Sequence, residues 1–120
     1  MSKRILLVED EEDNMQILRD LLVADYDLVE AGNGEAALAA AAAKQPDLIL
    51  MDIQLPIMDG YEATRRLKAD PALRSIPIIA ITSYAMGEDE VRARAAGCDD
   101  FVAKPYSPRV LLAKIRQYLS

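Results

Sequence analysis

Histidine is absent from all 120 residues. Catalysis through a side-chain imidazole is therefore excluded, and any histidine in a mechanism has to arrive on a partner. Cysteine occurs once, at Cys98, so no internal disulfide can form, which fits a reducing cytoplasm. No apolar run reaches eighteen residues without a charge, which excludes a transmembrane helix. The opening MSKRILLVED lacks the layout of a signal peptide. Positive charge is short as well: 14 Lys and Arg stand against 20 Asp and Glu, for a net charge of −6, with the basic residues scattered. That balance argues against a nucleic-acid or anionic-membrane surface as the main business of the chain. A glycine-rich turn is missing after the first apolar run, where a dinucleotide-binding enzyme would need one. Five acids, Glu9 to Asp13, stand there instead and would repel a pyrophosphate.

What is present suffices for one domain. The chain is 52% hydrophobic and long enough to bury a core without disulfide or metal staples. Short apolar runs alternate with helical patterns. Lys3–Val8 reads as a strand, after which Ile17, Leu18, Leu21 and Leu22 recur at helical spacing to about Ala24. Tyr26–Ala31 reads as a second, weaker strand. Asn33-Gly34 opens an Ala-rich helix that runs to Lys44 and stops before Pro46. Asp47–Asp52 is the most hydrophobic strand and ends in a carboxylate. Asp59-Gly60-Tyr61-Glu62 has capping-box spacing for a helix reaching about Ala69. Ile76–Thr82 is another apolar strand, and the helix after it ends at Gly97. Asp100–Ala103 is a last short strand. Ser107-Pro108 then opens a helix with Leu111, Ile115, Tyr118 and Leu119 facing inward. Five strands alternating with five helices over short connections predict an α/β fold: a five-stranded parallel sheet, doubly wound, in one domain over residues 1–120.

The polar residues that matter gather at one end of that sheet. Glu9 and Asp10 close the first strand, Asp52 the third and Thr82 the fourth, and Lys104 follows the fifth. In open parallel sheets, ligands bind beyond the carboxyl ends of the strands, where strand order reverses. Any one of these residues has an ordinary reading: a turn acid, a helix N-terminal acid, a strand threonine, a solvated lysine. Together they are harder to dismiss. Clustered carboxylates repel one another unless a cation intervenes, and hard divalent cations such as Mg²⁺ take oxygen ligands. Lys104 can neutralise a transferred phosphoryl group, and Thr82 offers a hydroxyl donor. The set amounts to an electrostatic clamp for a phosphoryl group placed on a carboxylate.

LLVEDEEDN, DLILMDIQLPIMDG, IIAITSYAM and DFVAKP, in that order and spacing, resemble the receiver domains of bacterial response regulators. Asn14-Met15, MDIQLP, Ala85-Met86 and Gly97-Cys98 add a likeness to stand-alone receivers of the DivK type. The resemblance covers essentially the whole chain. It implies the flavodoxin-like fold of the chemotaxis protein CheY, strand order 2-1-3-4-5, with no output domain. It implies that Asp52 accepts a phosphoryl group. Asp10, Asp52 and the Gln54 backbone carbonyl would ligate Mg²⁺, with Glu9 acting through a water. Thr82 and Lys104 would grip phosphoryl oxygens, and Phe101 would occupy the aromatic switch position, there without a phenol hydroxyl. Lys104-Pro105 is a candidate cis bond.

A histidine kinase or histidine phosphotransfer protein is the implied donor. The implied target is a downstream protein, met through the fourth helix, fifth strand and fifth helix, about residues 84–120. The chain would be a cytoplasmic signalling protein rather than an enzyme, its own chemistry confined to self-phosphorylation and self-dephosphorylation. A haloacid dehalogenase-type phosphatase would want a second Asp where Gln54 stands. Two alternatives remain: an interaction module working without phosphorylation, and a receiver excised from a hybrid histidine kinase. Tyr84 and Tyr106 are candidate partner contacts or half-buried packing residues, and Cys98 reads as a small core residue.

Overall fold

The central strands are buried on both faces because helices cover both. A computed structural model describes residues 2–82 and 87–119, with residues 87–89 described by their backbone alone. The order of elements is β1 (Arg4–Val8), α1 (Glu12–Leu22), β2 (Asp27–Ala31), α2 (Gly34–Lys44), β3 (Leu48–Asp52), α3 (Gly60–Ala69), β4 (Ile78–Thr82), α4 (Gly87–Ala96), β5 (Asp100–Ala103) and α5 (Pro108–Leu119). All strand pairs are parallel, and the sheet runs β2-β1-β3-β4-β5. The predicted fold class and strand order are both observed.

Alternation along each strand divides the core in two. Ile5, Leu7, Leu48, Leu50, Ile79 and Ile81 face α1 and α5, where they meet Leu18, Leu22, Leu111 and Ile115. Leu6, Val8, Ile49, Met51, Ile78 and Ala80 face the other way, toward Ala37, Ala41, Ala63, Leu67, Ala93 and Ala96. Each fully buried Leu or Ile contributes about 1.5–3 kcal/mol by leaving water. The central strands β3 and β4 are buried at every position.

Local signals account for most of the boundaries. The Asn33 side chain accepts from the Ala36 N–H at 2.8 Å and starts α2. Asp59 does the same for α3, accepting from Glu62 N at 2.9 Å. The reciprocal half of the expected capping box does not form, because Glu62 turns its carboxylate to Arg65 and Arg66. Gly97, at φ +110°, ends α4 in the left-handed region as its position predicts. Lys104-Pro105 is cis.

Four strands begin later than the hydrophobic pattern implies, because Lys3, Tyr26, Asp47 and Ile76-Pro77 precede the paired register. Ile76 is buried all the same. Ile17, one of the apolar residues at helical spacing in α1, is 51% exposed; the buried face is Met15, Leu18 and Leu22. At the C-terminal end, Leu111 and Ile115 are buried while Tyr118 and Leu119 are half-buried.

Candidate functional site

Each candidate side chain stands where a strand runs out. Glu9 follows β1, and its N–H donates to the Ala31 carbonyl of β2 at 3.1 Å, which keeps it at the sheet. It is 4% exposed, whereas Asp10, one residue farther, stands in solvent. Asp52 is the last residue of β3, pairs with Ile81 of β4 and is 3% exposed. Buried Thr82 closes β4, and its carbonyl accepts the Lys104 N–H at 2.7 Å. That bond fixes the Lys104 backbone at the level where β4 ends.

Lys104 Nζ then reaches Asp52 Oδ2 at 3.0 Å and Glu9 Oε1 at 3.4 Å. The other Asp52 oxygen, Oδ1, accepts the Gln54 N–H at 3.0 Å. Glu9 Oε2 accepts the Glu11 N–H at 3.2 Å. One oxygen each from Glu9, Asp10 and Asp52 lies within 4.8 Å of the others.

Three carboxylates gathered beside one ammonium, which touches two of them, leave an excess of negative charge. Burial, with the hydrogen bond and charge of Asp52 behind it, pushes the Glu9 carboxyl up to about 7, against the opposing pull of Glu11 N–H and Lys104. Burial works against the Lys104 charge, but Asp52 and Glu9 outweigh it and raise its pKa. An all-oxygen donor set with unrelieved like charge fits a hard divalent cation.

The loop after β3 holds Asp52 in this position. Gly60 N–H donates back to the Ile53 carbonyl at 3.0 Å, closing the loop on itself. A Cβ at Gly60 would collide with the Asp52 carbonyl oxygen and stand 2.7 Å from Ile53 Cα, so only glycine fits. At the loop's tip, Ile57 is 78% exposed with a left-handed φ of 70°.

The structure thus brings Glu9, Asp10, Asp52 and Lys104 together, with the Gln54 backbone against Asp52 and Thr82 tied to Lys104. Phe101 stands apart from that cluster: it pairs with Ala80 across β4 and β5 and packs half-buried on the α4 side, with the Arg94 guanidinium 5.9 Å from its ring. Cys98 is buried, with Sγ 3.7 Å from Thr64 Oγ1, and burial raises its pKa. It is the small core residue its sequence context predicts. Tyr106 is half-buried and Tyr84 lies outside the described residues.

Two clefts border the cluster. One, of about 480 Å³, is lined by Glu9, Ile17, Leu18, Lys104, Tyr106 and Pro108, which gives exposed Ile17 a place. The other, of about 260 Å³, is lined by Gln54, Asp59, Tyr61, Thr82 and Arg92, among others. Its wall is the Arg92 guanidinium, 4.3 Å above the buried Tyr61 ring. No sequence signal marks that pair, because a cation–π contact across helices has no spacing rule.

A family model described as the response regulator receiver domain matches residues 5–116. The polar-differentiation response regulator DivK of Brucella anthropi is 47% identical over 120 residues, covering 99% of this chain and 98% of that protein. DivK of Brucella ovis is 46% identical over the same length and shares. Among solved structures, the receiver domain of a sensor histidine kinase from Pseudomonas aeruginosa, with a magnesium ion coordinated in its active site cleft, superposes with TM-score 0.91. It is 34% identical and covers 98% of each chain. The chemotaxis protein CheY4 of Vibrio cholerae also gives TM-score 0.91, at 26% identity, covering 98% of this chain and 99% of that one.

Proposed function

Since the chain belongs to the response regulator receiver family, we propose that Asp52 accepts a phosphoryl group from a phosphohistidine on another protein. The observation that carries this reading is the Lys104 ammonium 3.0 Å from Asp52 Oδ2, within a group of three carboxylates. An Asp52 oxygen attacks phosphorus, the P–N bond breaks, and the electron pair leaves on the donor imidazole, whose other ring nitrogen carries a proton, so that neutral imidazole departs. Little covalent work falls to the protein beyond holding charge in place.

Gln54 N–H orients the Asp52 carboxylate through Oδ1. Lys104, already on Oδ2, is placed to follow the negative charge onto the incoming phosphoryl oxygens, and the Thr82 hydroxyl assists from the end of β4. Asp10, Asp52 and the Gln54 carbonyl would hold Mg²⁺, with Glu9 acting through a water. When bound, the ion supplies charge neutralisation between the carboxylates and the phosphoryl group.

The histidine donor is a histidine kinase or a histidine phosphotransfer protein, since the chain has no histidine of its own. The response to phosphorylation is a changed protein–protein surface on α4, β5 and α5. No described helix is long and apolar enough to cross a membrane, and we place the protein in the cytoplasm.

Incubation with autophosphorylated histidine kinases, followed by mass spectrometry under mild conditions, tests the reading. Label on Asp52 of the wild type, lost in a folded Asp52→Asn variant, is expected. Label that persists in Asp52→Asn, or none on the wild type from any donor, would overturn it.

A further inference from the structure

From the cleft between the β3–α3 loop and α4, we infer that Arg92 receives the carboxylate leaving group when a small acyl phosphate, rather than a phosphohistidine, phosphorylates the protein. The inference rests on Asp52 being the acceptor. In-line displacement requires the leaving atom to stand opposite the attacking Asp52 oxygen. Asp52 is buried at the end of β3, so that atom must point out toward the rim.

The two clefts at the rim each hold one acid and one cation, and they differ in whether the cation is already engaged. The larger one contains Glu9 and Lys104, and that ammonium is held by Glu9 and Asp52. A departing carboxylate meets the Glu9 charge there and no unengaged cation, whereas a neutral imidazole needs none. The smaller one contains Thr82, Gln54 and the Arg92 cation.

Arg92 is built for an anion. Its guanidinium lies 4.3 Å over the Tyr61 ring, and stacking of this kind occupies the flat face while leaving the five N–H donors in the plane. Among the described residues it makes no hydrogen bond or ion pair. Asp59 is the one carboxylate in the lining, and it is committed to the N-terminus of α3 through Glu62 N at 2.9 Å. The cleft's volume of about 260 Å³ admits an acetyl group together with water.

The step balances without a further reactant. An Asp52 oxygen bonds to phosphorus, the bond from phosphorus to the acyl carboxylate oxygen breaks, and the electron pair departs as carboxylate against Arg92. With phosphoramidate as donor, its nitrogen protonated as –NH₃⁺, the P–N bond breaks instead and neutral ammonia leaves, so Arg92 has no charge to receive. The structure therefore separates donors by the charge of what they release.

The test compares acetyl phosphate with phosphoramidate on the full chain, with Mg²⁺, following Asp52 phosphorylation by intact mass. Arg92→Gln should slow labelling by acetyl phosphate about three- to tenfold, the range of a partly exposed charge-assisted hydrogen bond. Labelling by phosphoramidate should be unchanged, which also shows that the variant is folded. Arg92→Lys should restore part of the acetyl phosphate rate. Equal slowing with both donors, or no slowing with acetyl phosphate, overturns the inference and leaves the receiver reading intact. A wild type labelled by neither donor overturns the receiver reading and this inference with it.

Discussion

Lys68 Nζ donates to Asp99 Oδ2 at 2.9 Å, and the same oxygen accepts the backbone N–H of Ile78 at 2.8 Å. The ammonium also reaches the carbonyls of Arg74 and Ile76, at 3.1 and 2.9 Å. One side chain of α3 therefore ties together the loop before β4 and the turn before β5, at the end of the sheet away from Asp52.

Lys68→Met should remove this tie and leave Asp99 without its cation. With Lys68 mostly buried and Asp99 partly solvated, the expected loss is about 1–2 kcal/mol in urea unfolding. Phosphorylation of Asp52 should be unaffected in rate. A loss of transfer at unchanged stability would show that the tie belongs to the site.

The raised Glu9 carboxyl makes stability depend on pH. Its folded pKa, about 7, lies above the unfolded value of 4.5, so the folded state holds the proton more tightly. Glu9 thus contributes stability that is full below 4.5 and lost as pH rises through about 7. In chelator, wild type minus Glu9→Gln should show this fall between those values. Added Mg²⁺ should offset it, stabilising the wild type more at pH ~8 than at pH ~5. Equal stabilisation at both would contradict the assignment of Glu9 to the site.

Lys104 occupies the same carboxylates that would hold the cation. Lys104→Met should therefore lower stability in chelator, where Glu9, Asp10 and Asp52 lose their counter-charge, and raise Mg²⁺ affinity several-fold. Calorimetric titration distinguishes this from a lysine that only acts after phosphoryl transfer, for which affinity would stay the same.

Two neighbouring glycines make an internal control. A Cβ at Gly32 meets nothing within 4 Å, whereas one at Gly34 would strike the Met58 carbonyl oxygen and stand 2.9 Å from Met58 Cβ. Gly32→Ala should be neutral, and Gly34→Ala should cost about 2 kcal/mol or more, because the β3–α3 loop has to shift. Thermal unfolding of both settles whether α2 and that loop touch.

The fold was largely readable because its signals are local. β3 and β4 are apolar at nearly every position, Asn33 and Asp59 start their helices, and Gly97 ends one. Strand starts were less clear, since Ile76 is buried like a strand residue but lies outside the paired register. Ile17 is exposed for a different reason: the buried stripe of α1 is centred on Met15, Leu18 and Leu22, and Ile17 lies about 140° around the helix from Leu22. At the site, the order of residues along the chain pointed to Glu9, Asp10, Asp52, Thr82 and Lys104, and the structure gathers the three acids and the lysine, with the Thr82 carbonyl on Lys104 N–H. What order cannot convey is that Glu62 prefers two arginines to its own helix end, or that Arg92 lies on Tyr61. Both outcomes are settled by side-chain geometry in three dimensions.

The closed loop from Asp52 to Gly60 has a consequence for how such chains can vary. Its two ends meet through Gly60 N–H and the Ile53 carbonyl, with no room for even a methyl between them. The segment therefore works as a ruler of fixed length. Its exposed tip, where Ile57 sits in a conformation that glycine or asparagine would accept more easily, can be rewritten freely. Adding or deleting one residue there would pull the end of β3 out of line with Lys104. Drift in this segment should accordingly take the form of substitution at the tip and never of a change in length.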